Sequence, residues 1–225
     1  MVATPANAIN EAGAIGAVLF DGTATFSTAN GTASQVLAGN GTSSAPTFQS
    51  SASIGASWVL IQSKTASSSA NLAFTTNTNI YSTYVFVFWG IQAGTNTAVF
   101  LCQISNNGGS TWITSGYLAG MNAATYNSTT WGNSTSASAF SLTGNMPSGD
   151  ANKTANGKFS IGNCNVGADA FAYGNVAYYD SGTSTPRMGV IGGQAGSTGA
   201  NAFNFLMSSG NIAAGTITCY GLRNS

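Results

Sequence analysis

Histidine is absent from this 225-residue chain, and charge of either sign is scarce: five lysines and arginines and five aspartates and glutamates. The ten are Glu11, Asp21, Asp150, Asp169, Asp180, Lys64, Lys153, Lys158, Arg187 and Arg223. Charge at 4%, against a usual share of about 25%, leaves little from which acid–base catalysis can be drawn, because that chemistry needs titratable groups held close together. Serine and threonine abound, yet no imidazole is present and no Lys or Asp base stands beside a Gly-flanked serine. Nothing activates a hydroxyl for attack. The expectation is a protein that is not an enzyme and needs no cofactor. Zero net charge, with only Lys153 and Lys158 near one another, argues against nucleic acid, whose phosphates demand clustered cations. No apolar run approaches the roughly 18 residues of a membrane span, so no membrane insertion is expected. The start, MVATPANAINEAG, lacks a basic region followed by an apolar stretch, and no secretory signal is expected.

Cysteine is scarce too. Cys102, Cys164 and Cys219 each sit in a strand-like run (VFLCQI, SIGNCNV, TITCYGL), which favours small buried hydrophobes over a disulfide set or a metal site.

What the chain does contain is apolar area: 43% of residues are hydrophobic and 11% aromatic, enough to drive folding. Hydroxyl and amide side chains take the place of charge on the surface. Charge repulsion then cannot keep copies apart, and a closed oligomer is the natural remedy.

Two zones differ in texture. Residues 1–54 are rich in small residues and include two weakly similar stretches, FDGTATFSTANGTA and VLAGNGTSSAPTFQ, each punctuated by Asp-Gly or Asn-Gly turn signals. Leu19, Phe20, Phe26, Val36, Leu37 and Phe48 are too few for an independent core and become candidates for attachment to another body; the competing reading is a disordered tail. Residues 55–225 carry WVLIQS, ANLAFT, YVFVFWGIQ, TAVFLCQIS, STWITSGYLA, GKFSIGN, FAYGNVAYY, RMGVIGG, NAFNFLMS and GTITCYGL, separated by Gly, Asn, Ser and Thr clusters. Such spacing predicts an all-β fold, a jelly-roll-like antiparallel β-sandwich.

Neighbouring residues in a strand face opposite sides. Tyr84, Phe86 and Phe88 then share one face while Val85, Val87, Trp89 and Ile91 share the other; Phe100, Cys102 and Ile104 oppose Val99 and Leu101. Strands apolar on both faces imply a covered outer face. A neighbouring subunit is the simplest cover, which makes Phe86, Phe88, Trp89, Phe100 and Leu101 candidate oligomer contacts; the protein's own loops or first zone are the alternative.

Motifs for chemistry are weak. Asp150 and Asp180 fall in turn-like contexts (PSGDANKTANG, YYDSGTSTP), where Asp satisfies local backbone donors, although a carboxylate pair assembled across a subunit boundary stays open. Asp150, Asn152 and Thr154 alternate like the opening of a calcium loop, but Ile161 stands where a closing carboxylate is needed, so the segment reads as a hairpin loop. The glycines of IGGQAGSTG lack the setting of a phosphate cradle. Aromatic residues among amides and hydroxyls carry the remaining signal: Trp112, Tyr117, Tyr126 and Trp131 are candidate glycan contacts, since a sugar stacks on a ring while amides satisfy its hydroxyls. Packing in a core or interface is the competing role for each.

The segment TASQVLAGNGTSSAPTFQ (Thr32 to Gln49) resembles an element of tail-fibre and related fibre proteins of tailed bacteriophages. ISNNGGSTW (Ile104 to Trp112) and the end GTITCYGLRNS are similar to parts of their distal β-domains. The resemblance implies a virion surface structural protein, homotrimeric, held to another virion protein by its N-terminal segment. It also implies a displayed β-sandwich for which a host-surface glycan is a candidate partner. Extended shaft repeats, coiled-coil heptads and a self-cleaving chaperone are missing, so a short tail fibre, a head fibre or a capsid decoration protein fits the length as well as a long fibre. A free carbohydrate-binding module or adhesin is the alternative, and a glycan depolymerase a more distant one.

Overall fold

The computed structural model describes residues 18–20, 25–27, 35–38, 47–50, 58–75, 78, 80–125, 128–196 and 199–222. The chain divides into two units, Met1–Ala56 and Ser57–Ser225.

In the first unit, β1 (Val18–Phe20) pairs antiparallel with β2 (Thr25–Ser27), and β3 (Gln35–Ala38) with β4 (Thr47–Ser50). Both hairpins repeat one pattern. Val18 faces Ser27 and Leu19 faces Phe26 in the first, as Val36 faces Gln49 and Leu37 faces Phe48 in the second. The similarity of the two stretches therefore reflects a repeated Val-Leu…Thr-Phe hairpin. Within Thr32 to Gln49, residues Gln35–Ala38 form one strand of the second hairpin and residues 47–49 lie in the other.

The second unit is an all-β sandwich of antiparallel sheets, with no helix among the described residues. Its strands are β5 (Trp58–Ser69), β6 (Asn71–Phe74), β7 (Tyr84–Ala93), β8 (Phe100–Ser105), β9 (Tyr117–Thr125) and β10 (Ser128–Ala137). There follow β11 (Phe140–Ser141), β12 (Ala155–Gly162), β13 (Ala170–Asp180), β14 (Thr185–Ala195), β15 (Ala202–Met207) and β16 (Ile212–Leu222). One sheet has the order β10-β9-β14-β13-β12-β7-β16-β5, the other β11-β8-β15-β6. With the hairpins β9–β10 and β13–β14 set aside, eight strands remain, ordered β5-β16-β7-β12 in one sheet and β6-β15-β8-β11 in the other.

Period-2 alternation sends Tyr84, Phe86, Phe88, Phe100, Phe203 and Phe205 inward, all essentially inaccessible. Phe86 is central: its ring centroid lies 5.6 Å from Phe74, 5.0 Å from Phe203 and 4.9 Å from Phe205. Edge-on aromatic pairs of this kind add about 0.5–1.5 kcal/mol each beyond their buried area. The buried Tyr117 hydroxyl is paired as well. Tyr117 accepts from the Ile104 amide at 2.9 Å and donates to the Ile113 carbonyl at 3.0 Å.

Strand β7 departs from simple alternation. Ile91, expected beside Trp89 on the outer face, is fully buried, while Trp89 is exposed. A bulge explains the switch: Gly157 faces Phe88 but Ala155 faces Ile91, so one extra residue sits in β7. Gly90 supplies the positive φ of 64°, and its amide donates to Asn156 Oδ1 at 2.8 Å. On the other side Gly215 has φ 116°, and a Cβ there would stand 2.6 Å from the Ile91 Cα.

The sequence MNAATYNSTTWGNSTSASAF, which carries the candidate glycan contacts Tyr126 and Trp131, holds most of β9 and all of β10. Ser110–Gly116, read as strand, precedes β9 and lies outside any strand. Small Ala and Gly alternate there with Asn, Ser and Thr, so the segment lacks the large apolar residues that mark a strand from sequence. It extends an existing sheet through backbone pairing to β14 instead.

Candidate functional site

Antiparallel partners project to the same side of a sheet, so register lines residues into rows across the eight-stranded sheet. One outward row runs Asn122, Val190, Asn175, Lys158, Val87, Thr218 and Ser63. Its neighbour runs Gly120, Gly192, Tyr173, Ser160, Val85, Tyr220 and Leu60. Lys158 is the one charged residue in these two rows. Its ammonium lies 5.7 Å from the ring centroid of Trp58, which packs at 5.6 Å against Tyr220.

The face divides into two ends. At the β5 end, Leu60 is 61% exposed, with Trp58 and Trp89 also exposed. Among the described residues β5 is the last strand of its sheet, twelve residues long, and its single charge, Lys64, is turned onto the Ala73 carbonyl at 2.5 Å. At the other end, β9, β14, β13 and β12 form an open concavity of about 440 Å³ lined by Asn122, Ala124, Asn156, Asn175, Met188 and Val190. A second hollow of about 380 Å³ adjoins it at Gly120, Asn122, Val190 and Gly192. Asn156 is fully engaged, accepting from Gly90 and donating to Thr154 Oγ1 at 3.1 Å. Asn122 Oδ1 has no hydrogen-bond partner.

Several candidates from sequence are relocated by this geometry. Phe86, Phe88 and Phe100 are core residues, not oligomer contacts, because the inward phase of β7 and β8 claims them; Trp89 is exposed and Leu101 half-buried. Tyr117 is likewise buried, its hydroxyl spent on Ile104 and Ile113, and cannot touch a glycan. Trp112 is half-buried, its ring 3.3 Å from where a Gly109 Cβ would stand. Tyr126 lies outside the described residues, as does the Trp131 side chain; the Trp131 backbone is the register partner of Asn122. Leu19, Phe20, Phe26, Val36, Leu37 and Phe48 all fall in the two N-terminal hairpins. Phe48 is half-buried, and the side chains of the other five lie outside the description. Sequence reasoning missed Tyr173, Asn175, Met188 and Val190. Their signal was present in FAYGNVAYY and RMGVIGG, where large or polar residues alternate with Ala and Gly.

The carboxylates hold local structure. Asp150 accepts from the Asn152 amide at 2.9 Å and pairs with Lys153 at 3.2 Å, and these contacts, the amide foremost, lower its pKa. Asp180 accepts from the Thr183 amide at 2.9 Å and lies 3.2 Å from Arg187 Nε. Asp169 accepts from Gln194. Cys102, Cys164 and Cys219 are free and buried; Cys102 and Cys219 lie in β8 and β16 as expected, whereas Cys164 lies in the turn after β12. Burial pushes the Cys164 thiol up to about 12 and raises Cys102 and Cys219 as well. No family model, curated protein or solved structure matches the chain.

Proposed function

We propose that the protein is a non-enzymatic virion surface structural protein of a tailed bacteriophage, a short tail fibre, head fibre or capsid decoration protein. In this reading it attaches to another virion protein through its N-terminal hairpins, and three copies associate through the β5 end of their large sheets. The other end of that sheet is displayed. The observation that carries the reading is the β5 end itself: a twelve-residue edge with Trp58 and Leu60 exposed. Edges of this kind are normally short, charged or covered. A second copy of the chain is the fitting cover, because identical surfaces repel when charged and this one is nearly neutral.

Two further features support it. Gln35–Ala38 and residues 47–49 of the fibre-like segment lie in the two strands of one N-terminal hairpin, in a unit of its own. The orders β5-β16-β7-β12 and β6-β15-β8-β11 fit a jelly roll, eight strands wound as two Greek keys, with two hairpins added to one sheet. Light scattering tests the association: a mass of three chains is expected, falling to one in Leu60→Asp, which would bury an unpaired charge at each contact. A wild-type monomer at all concentrations would overturn the trimer and favour a free carbohydrate-binding module.

A further inference from the structure

The concavity on the outer face of β9, β14, β13 and β12 is centred on β14, five strand spacings from β5 or about 24 Å at the usual separation, and its near rim at Asn156 is three spacings away. It therefore remains open when the β5 end is covered. It is built almost wholly from the two hairpins that extend the sheet, and additions to a scaffold are where binding surfaces commonly reside. Its floor is bare, because Gly120 and Gly192 are register partners, and the space where a Gly192 Cβ would project is empty to 4 Å. Tyr173, 56% exposed, is the register partner of Gly192 in that row and stands on the strand beside the slot.

The polar groups at hand are uncharged. Asn122 and Asn175 flank Val190 in the adjoining row. Asn122 Oδ1 is buried without a hydrogen-bond partner, so the Asn122 amide must turn toward the slot to meet a ligand, whereas Asn175 is exposed. The backbone of Trp131 continues the row beyond Asn122. No charged residue lines either hollow. A ligand suited to this surface carries no formal charge, offers a flat apolar face to a tyrosine ring and presents hydroxyls to amides.

We propose that the slot formed by Gly120, Gly192 and Tyr173, with the amides of Asn122 and Asn175 beside it, binds a neutral oligosaccharide. Tyr173 is the stacking platform, the two glycines admit the sugar ring, and the amides supply donors and acceptors to its hydroxyls. The inference gives a ligand class to the displayed end of the sheet and rests on the reading of the sandwich as a displayed head. It can nevertheless fail separately.

The test is calorimetric titration of the full chain with maltohexaose, cellohexaose and chitotetraose, set against sialic-acid and galacturonate oligomers. Binding of at least one neutral probe is expected, with no preference for the acidic ones. Gly192→Val is the decisive variant, because the open space tolerates a side chain and valine suits a strand, so the fold is retained while the slot is filled. A loss of affinity of about tenfold or more is expected for Gly192→Val and for Tyr173→Ala. Ile80→Ala, at an exposed position before β7 that lines neither hollow, leaves affinity unchanged. No binding of any neutral probe, a preference for acidic probes, or a Gly192→Val protein that binds as tightly as wild type would overturn the site. Binding by a protein that proves monomeric and absent from particles would sink the virion reading and leave the slot standing.

Discussion

Replacing Phe86 with alanine tests the phase of β7, on which the division between core and outer face depends. The side chain is fully buried and touches three rings at centroid separations of 4.9–5.6 Å. A buried Phe→Ala change costs about 3–5 kcal/mol, a large part of the roughly 5–15 kcal/mol that holds a domain together. At about 2–4 °C per kcal/mol for a domain of this size, the melting temperature should fall by roughly 6–20 °C. Trp89, three residues on, is exposed, and Trp89→Ala should change the stability of the sandwich by under about 1 kcal/mol. Thermal and urea unfolding, followed by fluorescence at several protein concentrations, separates the two. The Phe86→Ala penalty is intrinsic to the chain and persists at every dilution, whereas any cost at Trp89 that comes from association shrinks on dilution. Equal, concentration-independent penalties for the two variants would refute the assignment of faces.

Gly215→Ala should destabilise by about 1–3 kcal/mol from backbone strain alone, and by more because its Cβ would meet the Ile91 backbone; a melting curve like wild type would disprove the bulge. Thiol reagent at neutral pH should leave Cys102, Cys164 and Cys219 unmodified in the native protein and label all three in denaturant, and rapid native labelling of any of them would contradict their burial. The depressed pKa of Asp150 means that its contribution to the turn at 149–153 is present above the ordinary value of 3.8 and is lost as pH falls through the lower folded value. Carboxyl titration by NMR should place its midpoint below 3.8, and a midpoint at or above that value would refute the Asn152 and Lys153 contacts.

Most of the sandwich was legible in the sequence, because large residues at every second position mark a half-buried strand. Phe100, Cys102 and Ile104 faced inward as their spacing indicated. What escaped was structure made by the backbone. β10 carries no large apolar alternation, and its strand character comes from pairing with β9. The bulge at Gly90 turned Ile91 into the core, because a single residue of positive φ reverses every later side chain, a shift that the pattern YVFVFWGIQ does not reveal. The face of β13 went unread for another reason. Tyr173 and Asn175 look unremarkable one at a time, and only the register with Gly192 and Val190 sets a ring beside an empty slot. Carboxylate roles were easier to anticipate, since Asp150 and Asp180 bind amides two and three residues onward and such local contacts are written in the chain.

Imaging intact particles with the protein labelled, at a resolution that separates single sandwiches, tests the central claim most directly. The account predicts sandwiches on the outside of the particle in groups of three, N-terminal hairpins toward the virion and the β9–β14 face outward. Particles that lack the protein, or a freely released protein that turns over host polysaccharide, would contradict it.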